Sequence, residues 1–165
     1  MGYHHQTKSL WILDMTRDRL EPNDVERLVA ITAQQDRERY GEVFIRIERE
    51  PGQSGKAQES SYARNVLQGY PVAFVPSTGS KEVRAQPFAG QQLAGNVHLA
   101  RRWDGVRFVV PDWWGWLIEE AAVFPNGEHD DLVDVCSLAY VDLLELIPRR
   151  SKARVASSAR KQLGF

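Results

Sequence analysis

Short apolar runs that alternate with helix-length amphipathic stretches are what most narrows the fold of this chain. Ser9 to Met15 (Ser-Leu-Trp-Ile-Leu-Asp-Met) is short and rich in large apolar groups, as a strand is. Pro22, Asn23 and Asp24 open a predicted helix whose Val25, Leu28, Val29 and Thr32 share a face, and Gly41 closes it. Val43 to Glu48 reads as a second strand ending in a carboxylate, and the turn Gly52 to Gly55 leads into a helix that runs to about Leu67. A third strand, Pro71 to Val75, precedes a helix from Lys81 to Leu93 that ends at Gly95, and Val97 to Ala100 is a fourth strand. Strand, helix, strand, helix in this order implies a parallel portion of sheet, so the class is α/β. A polar and aromatic insertion around Trp103 to Pro111 separates this part from two helices, Trp113 to Phe124 and His129 to Ile147. In the last helix Leu132, Cys136, Ala139, Leu143 and Ile147 repeat at helical spacing as a buried stripe.

A chain of 165 residues, 42% hydrophobic and 26% charged, suits one globular domain with its own core. The single cysteine, Cys136, excludes a disulfide framework, and its apolar helical setting points to a buried thiol rather than a nucleophile. Neither a membrane-length apolar run nor an apolar leader is present in the sequence, so a cytoplasmic location and no membrane partner are expected. The net charge of -1 conceals an asymmetry. Arg149, Arg150, Lys152, Arg154, Arg160 and Lys161 follow Pro148 with no acid among them, which divides the chain into a domain over 1–147 and a basic tail over 148–165. Such a tail reads either as a solvated, flexible terminus or as a nonspecific phosphate contact.

The segment Phe124-Pro125-Asn126-Gly127-Glu128-His129-Asp130-Asp131-Leu132-Val133-Asp134 carries the chemistry. Asp130 and Asp134, four apart, share a helix face, and Asp131 is a turn from Asp134. Carboxylates this close repel unless a cation intervenes. A helix N-terminus also favours acids, one of which can serve as its cap, so metal ligation and capping are both open readings. Glu48, ending a central strand, adds an oxygen ligand from another element, the donor pattern used by Mg²⁺ or Mn²⁺, and Glu50 is a secondary candidate. Two such ions about 4 Å apart activate water and stabilise the leaving oxygen in phosphodiester cleavage. By contrast, Gly52-Gln53-Ser54-Gly55-Lys56-Ala57 fails as a phosphate-binding loop. Glu50 stands where the first glycine belongs and Ala57 where the hydroxyl belongs, so no nucleotide is expected, although the helix N-terminus there suits a DNA phosphate.

Four segments in order carry a resemblance: Ile47 to Lys56 (Ile-Glu-Arg-Glu-Pro-Gly-Gln-Ser-Gly-Lys), Lys81 to Ala89 (Lys-Glu-Val-Arg-Ala-Gln-Pro-Phe-Ala), Gly95-Asn96-Val97, and Phe124 to Asp134. Together they resemble the C-terminal nuclease domain of tailed-phage terminase large subunits, over most of residues 9–147. The resemblance implies an RNase H-like mixed sheet flanked by helices and a metal-dependent endonuclease that cuts concatemeric double-stranded DNA during genome packaging. It implies Glu48, Asp130 and Asp131 as catalytic metal ligands for two Mg²⁺ or Mn²⁺ ions, with Asp134 and Glu50 secondary. Implied partners are double-stranded DNA, the terminase ATPase domain, the small terminase subunit and the portal, in a host cytoplasm or encoded by a prophage. Lys56, Lys81, Arg84, Arg149 and Arg150 are the candidate DNA contacts.

The family's first-strand aspartate has no counterpart, because Met1-Gly2-Tyr3 falls at about the end of that strand and Asp14 belongs to the next. The first strand is therefore expected to be mostly or wholly missing, the domain N-terminally incomplete and its metal binding weakened. The alternative function is a catalytically impaired module that binds DNA or the packaging assembly. A resolvase or transposase core is a more distant reading. Trp113, Trp114 and Trp116 are expected to pack rather than to stack on bases.

Overall fold

The computed structural model describes residues 1–49, 52–76, 79–141 and 143–144. The chain divides into two compact units, one made of Met1–Thr16 with Ser80–Phe165 and the other of Arg17–Gly79.

In the first unit β1 (Gly2–His4) pairs antiparallel with β2 (Ser9–Ile12), Tyr3 opposite Leu10. The other edge of β2 pairs in parallel with a later strand, Val97–Leu99, with Leu10 opposite Val97 and Ile12 opposite Leu99. Helix 81–93 (Lys81–Leu93) feeds that strand, and its ends explain its length. Ser80 caps the start, its hydroxyl accepting from Val83 N–H at 3.4 Å. At the other end Gly95 adopts a positive φ of 72°, while Gly95 and Asn96 donate to the carbonyls of Gln92 and Gln91 at 3.0 Å each, a Schellman closure that a Cβ would strain. The Asn96 carbonyl then accepts from Leu10 N–H at 2.8 Å, so the helix cap leads directly into the ladder.

The insertion is a small antiparallel hairpin, Arg102–Trp103 with Phe108–Val109. Asp104 builds its turn by accepting from the N–H groups of Val106 and Arg107 at 2.8 Å each, bonds that hold its carboxyl below the usual carboxylate range. Trp103 and Phe108 meet across the ladder with ring centroids 5.1 Å apart, yet both remain exposed.

Helix Trp113–Val123 and a helix that begins at 131 complete the unit. The latter is helical over 131–141 and at 143–144, and the expected end near Ile147 lies outside the described residues. Leu10, Ile12, Phe88, Trp113, Leu117, Leu132, Cys136 and Tyr140 form one buried cluster. The expected stripe is thus present but broader, since Val133, Ser137 and Tyr140 are also buried while Ala139 and Leu143 are only half-buried. Ser137 satisfies its hydroxyl by donating to the Val133 carbonyl at 2.7 Å. Trp113 packs as expected and Trp114 donates its ring N–H to the Ala100 carbonyl at 3.2 Å, whereas Trp116 is exposed.

In the second unit strand Ile45–Arg49 pairs in parallel with strand Val72–Pro76, Glu48 opposite Val75. The crossover is helix Gln53–Ser61 followed by one π-helical turn, Tyr62–Val66, closed by Leu67 N–H on the Tyr62 carbonyl at 2.8 Å. This wide turn buries Tyr62 and Leu67 with Ala33. Helix Pro22–Tyr40 buries the expected face only in part. Leu28 and Val29 are half-buried, with Val29 packed against the cluster, but Val25 and Thr32 are exposed and Ala33 is the buried residue of the helix. Small Ala33 sits where close packing is needed, and Arg37 stacks its guanidinium 4.1 Å above the Tyr70 ring one turn later on that side. Numbered in chain order, the helices are α1 (Pro22–Tyr40), α2 (Gln53–Ser61), α3 (Lys81–Leu93), α4 (Trp113–Val123) and α5 (from 131), and the strands after β2 are β3 (Ile45–Arg49), β4 (Val72–Pro76), β5 (Val97–Leu99), β6 (Arg102–Trp103) and β7 (Phe108–Val109).

Candidate functional site

The acids cluster where α5 starts. Asp130 occupies the cap position, its carbonyl accepting the first helical bond from Asp134 N–H at 2.9 Å. Its carboxylate does not cap its own helix. Both oxygens accept instead from the Lys81 ammonium, at 2.6 and 2.7 Å. Asp134, one turn on, approaches the same ammonium at 3.5 Å and accepts from the Arg84 guanidinium at 3.1 Å. The first turn of α3 is therefore tied to the first turn of α5 by cations on one and acids on the other. Hydrogen bonding to Asp130 raises the Lys81 pKa, and the charge of Asp134 adds to it.

A capping task that Asp130 leaves open falls to a residue of α4. Glu120, 5% exposed, accepts from Val133 N–H at 2.8 Å and so satisfies one of the free donors of α5. In the sequence Glu120 stands only as a residue at helical spacing after Trp116 and Leu117. A charged residue in line with Trp113 and Leu117, on the face that must be buried, was the available signal. Beside this bond lies Cys136, 1% exposed, whose thiol is pushed up to about 12 by burial, a setting for an inert thiol.

Asp130 and Asp134 converge as their spacing predicts; Asp131, the first helical residue, is exposed. Glu48 is exposed on β3, in the second unit. Lys56 is exposed near the start of α2, whose first turn follows Gly52 at a positive φ of 96°. Glu50, Arg149, Arg150 and the rest of the basic tail lie outside the described residues.

Carboxylate oxygens suit Mg²⁺ or Mn²⁺ chemically. As arranged, however, the oxygens of Asp130 and Asp134 are engaged by an ammonium and a guanidinium. Among the described residues no three His, Cys, Asp or Glu side chains gather as a metal-holding group. This arrangement does not fit a metal ion. Also among the described residues, no helix is long and apolar enough to cross a membrane.

A family model described as the terminase RNaseH-like domain matches residues 8–143. No significant match to a curated protein or to a solved structure accompanies it. The match spans both units, α3 with its cations, and α5 with its acids, in agreement with a C-terminal terminase nuclease domain of mixed α/β, RNase H-like fold. With well over half of its length inside that match, the chain belongs to the terminase RNaseH-like domain family.

Proposed function

We propose that this chain is the nuclease module of a phage DNA-packaging terminase, cutting concatemeric double-stranded DNA with divalent metal ions. The observation that carries the reading is the family match over residues 8–143. In this reading Glu48, Asp130 and Asp131 are the metal ligands, Asp134 and Glu50 lie in support, and Lys56, Lys81, Arg84, Arg149 and Arg150 serve the DNA. Partners follow from the same role: DNA, the packaging ATPase, the small subunit and the portal, in the cytoplasm of an infected or lysogenic host.

A second reading has its own support. The ion pairs of Lys81 and Arg84 with Asp130 and Asp134 neutralise the acids internally, as suits a noncatalytic module that contacts DNA or the packaging assembly. Supercoiled plasmid incubated with Mn²⁺ or Mg²⁺ separates the two. Nicking that falls by more than about 100-fold in both Glu48→Ala and Asp131→Ala supports the nuclease, since even outer-sphere partners of a metal site are worth about 10–100-fold. Equal nicking by all three proteins removes these residues from the site, and DNA binding without any nicking supports the assembly module.

A further inference from the structure

The hairpin of β6 and β7 carries its large side chains in solvent. Trp103 and Phe108 face each other across the ladder with ring centroids 5.1 Å apart, yet they remain 55% and 66% exposed, and Val106 at the tip is 83% exposed. Neither ring belongs to a buried cluster. A cross-strand aromatic pair steadies a ladder, which accounts for the two rings meeting but not for the charges beside them. Arg101 and Arg102 directly precede Trp103 and Arg107 directly precedes Phe108, all three exposed, and no lysine stands among residues 101–110. The one acid of that segment, Asp104, is committed to the turn: its carboxylate accepts from the N–H groups of Val106 and Arg107 at 2.8 Å each and lies 4.0 Å from the Arg107 guanidinium. At its base the ribbon is anchored, since Ala100 donates its N–H to the Ile12 carbonyl at 2.9 Å and accepts from the Trp114 ring N–H at 3.2 Å. A guanidinium is planar, grips phosphate through two parallel N–H bonds and stacks on rings, none of which an ammonium does.

We propose that this hairpin is a docking site for unpaired nucleotides, with Trp103 and Phe108 stacking on bases and Arg101, Arg102 and Arg107 meeting the phosphates of the same strand. In a duplex the base faces are already stacked on one another, so exposed rings find partners only where a strand is single, frayed or flipped out. Charge separates this partner from others. A second copy of the hairpin would set arginine against arginine. An anionic membrane would face the whole chain, and six of the 21 cations lie in the tail while none of the 22 acids does, which leaves the remainder negative by seven. A single strand needs only the local patch, where three arginines outnumber one acid. The site uses neither the acids of α5 nor a metal ion, so it stands or falls apart from the nuclease reading.

The test is the fluorescence anisotropy of labelled oligothymidylate with the full chain in EDTA, beside a blunt duplex and an abasic oligomer of the same length, which keeps the phosphates and lacks the bases. The wild type is expected to hold oligothymidylate about tenfold more tightly than the abasic strand, since stacking of a base on an aromatic ring is worth about that much. Trp103→Ala is expected to abolish that preference, Trp103→Tyr to keep most of it, and Arg102→Ala to weaken both strands alike. A readout on the unmodified protein covers the case in which the alanine variant distorts the hairpin. The indole N–H resonance of Trp103, identified by its loss in Trp103→Tyr, is expected to shift with oligothymidylate and not with the abasic strand. Equal binding of the two strands by the wild type, as phosphate contact alone would give, overturns the stacking site. So does duplex binding that exceeds oligothymidylate binding and falls in Trp103→Ala, or a Trp103 resonance that moves with phosphatidylserine vesicles and not with oligothymidylate. Plasmid nicking and its dependence on Glu48 and Asp131 are read separately, so failure of the hairpin site and failure of the nuclease reading are distinct results.

Discussion

Cys136 shows how a single position couples packing to pH. Its thiol lies in the main cluster with Leu10, Phe88 and Leu132, and burial holds its proton until about pH 12. An unfolded cysteine loses that proton near 8.5, so above that value the unfolded state binds fewer protons than the folded one. The folded pKa is raised, and the neutral thiol is the form that folds. Its contribution is therefore complete below about pH 8.5 and declines as pH rises toward 12. The slope approaches about 1.4 kcal/mol per pH unit for one proton. Urea midpoints measured from pH 8 to pH 10 should fall more steeply for the wild type than for Cys136→Ala. Parallel profiles would show that the thiol titrates in the folded state. The residue was legible as a buried thiol from its helical neighbours alone. Lys81 was less so, because nothing local reveals that a cation at the start of one helix will meet an acid 49 positions later.

Between elements, the start of α5 depends on a neighbour rather than on its own sequence. Asp130 stands in the cap position with its carboxylate turned to Lys81, and the buried Glu120 of α4 takes up the Val133 N–H. Glu120→Ala removes the acceptor and leaves a buried donor unpaired, a loss of about 1–3 kcal/mol. Glu120→Gln retains a carbonyl oxygen and should cost less. Hydrogen exchange at the Val133 amide reads the effect directly, since it should accelerate in Glu120→Ala well beyond amides in the middle of α5. Helix α3 contrasts with this. Its expected limits, Lys81 and Leu93, are also its observed ones, because Ser80 and Gly95 encode both ends in cis. The face of α1 was misread at Val25 and Thr32 because periodicity weighs hydrophobicity, whereas packing there selects the small Ala33. The hairpin β6–β7 was read only as an insertion, although Asp104-Gly105 between apolar residues is a turn signal. The acids that share a face were visible in the spacing of Asp130 and Asp134, and the cations that hold them were not.

At the scale of the whole molecule, the described residues form one buried cluster in each of the two units. Leu67, 1% exposed in the second cluster, and Leu10, 2% exposed in the first, offer matched probes. Truncation of either to Ala should cost about 2–5 kcal/mol locally. Native-state hydrogen exchange should show Leu67→Ala losing protection across β3, β4 and the π-helical turn while β2 and β5 keep theirs, and Leu10→Ala the reverse. Uniform loss in both variants would mean that the chain opens only as a whole. The pairing registers add a kinetic dimension. Ile45 joins Val72 within one crossover, while Leu10 must find Val97 with all of Arg17–Gly79 between them. Closing the longer loop costs about 1 kcal/mol more chain entropy. The ladder that anchors the acid-bearing unit is thus the one whose closure carries the larger entropic cost.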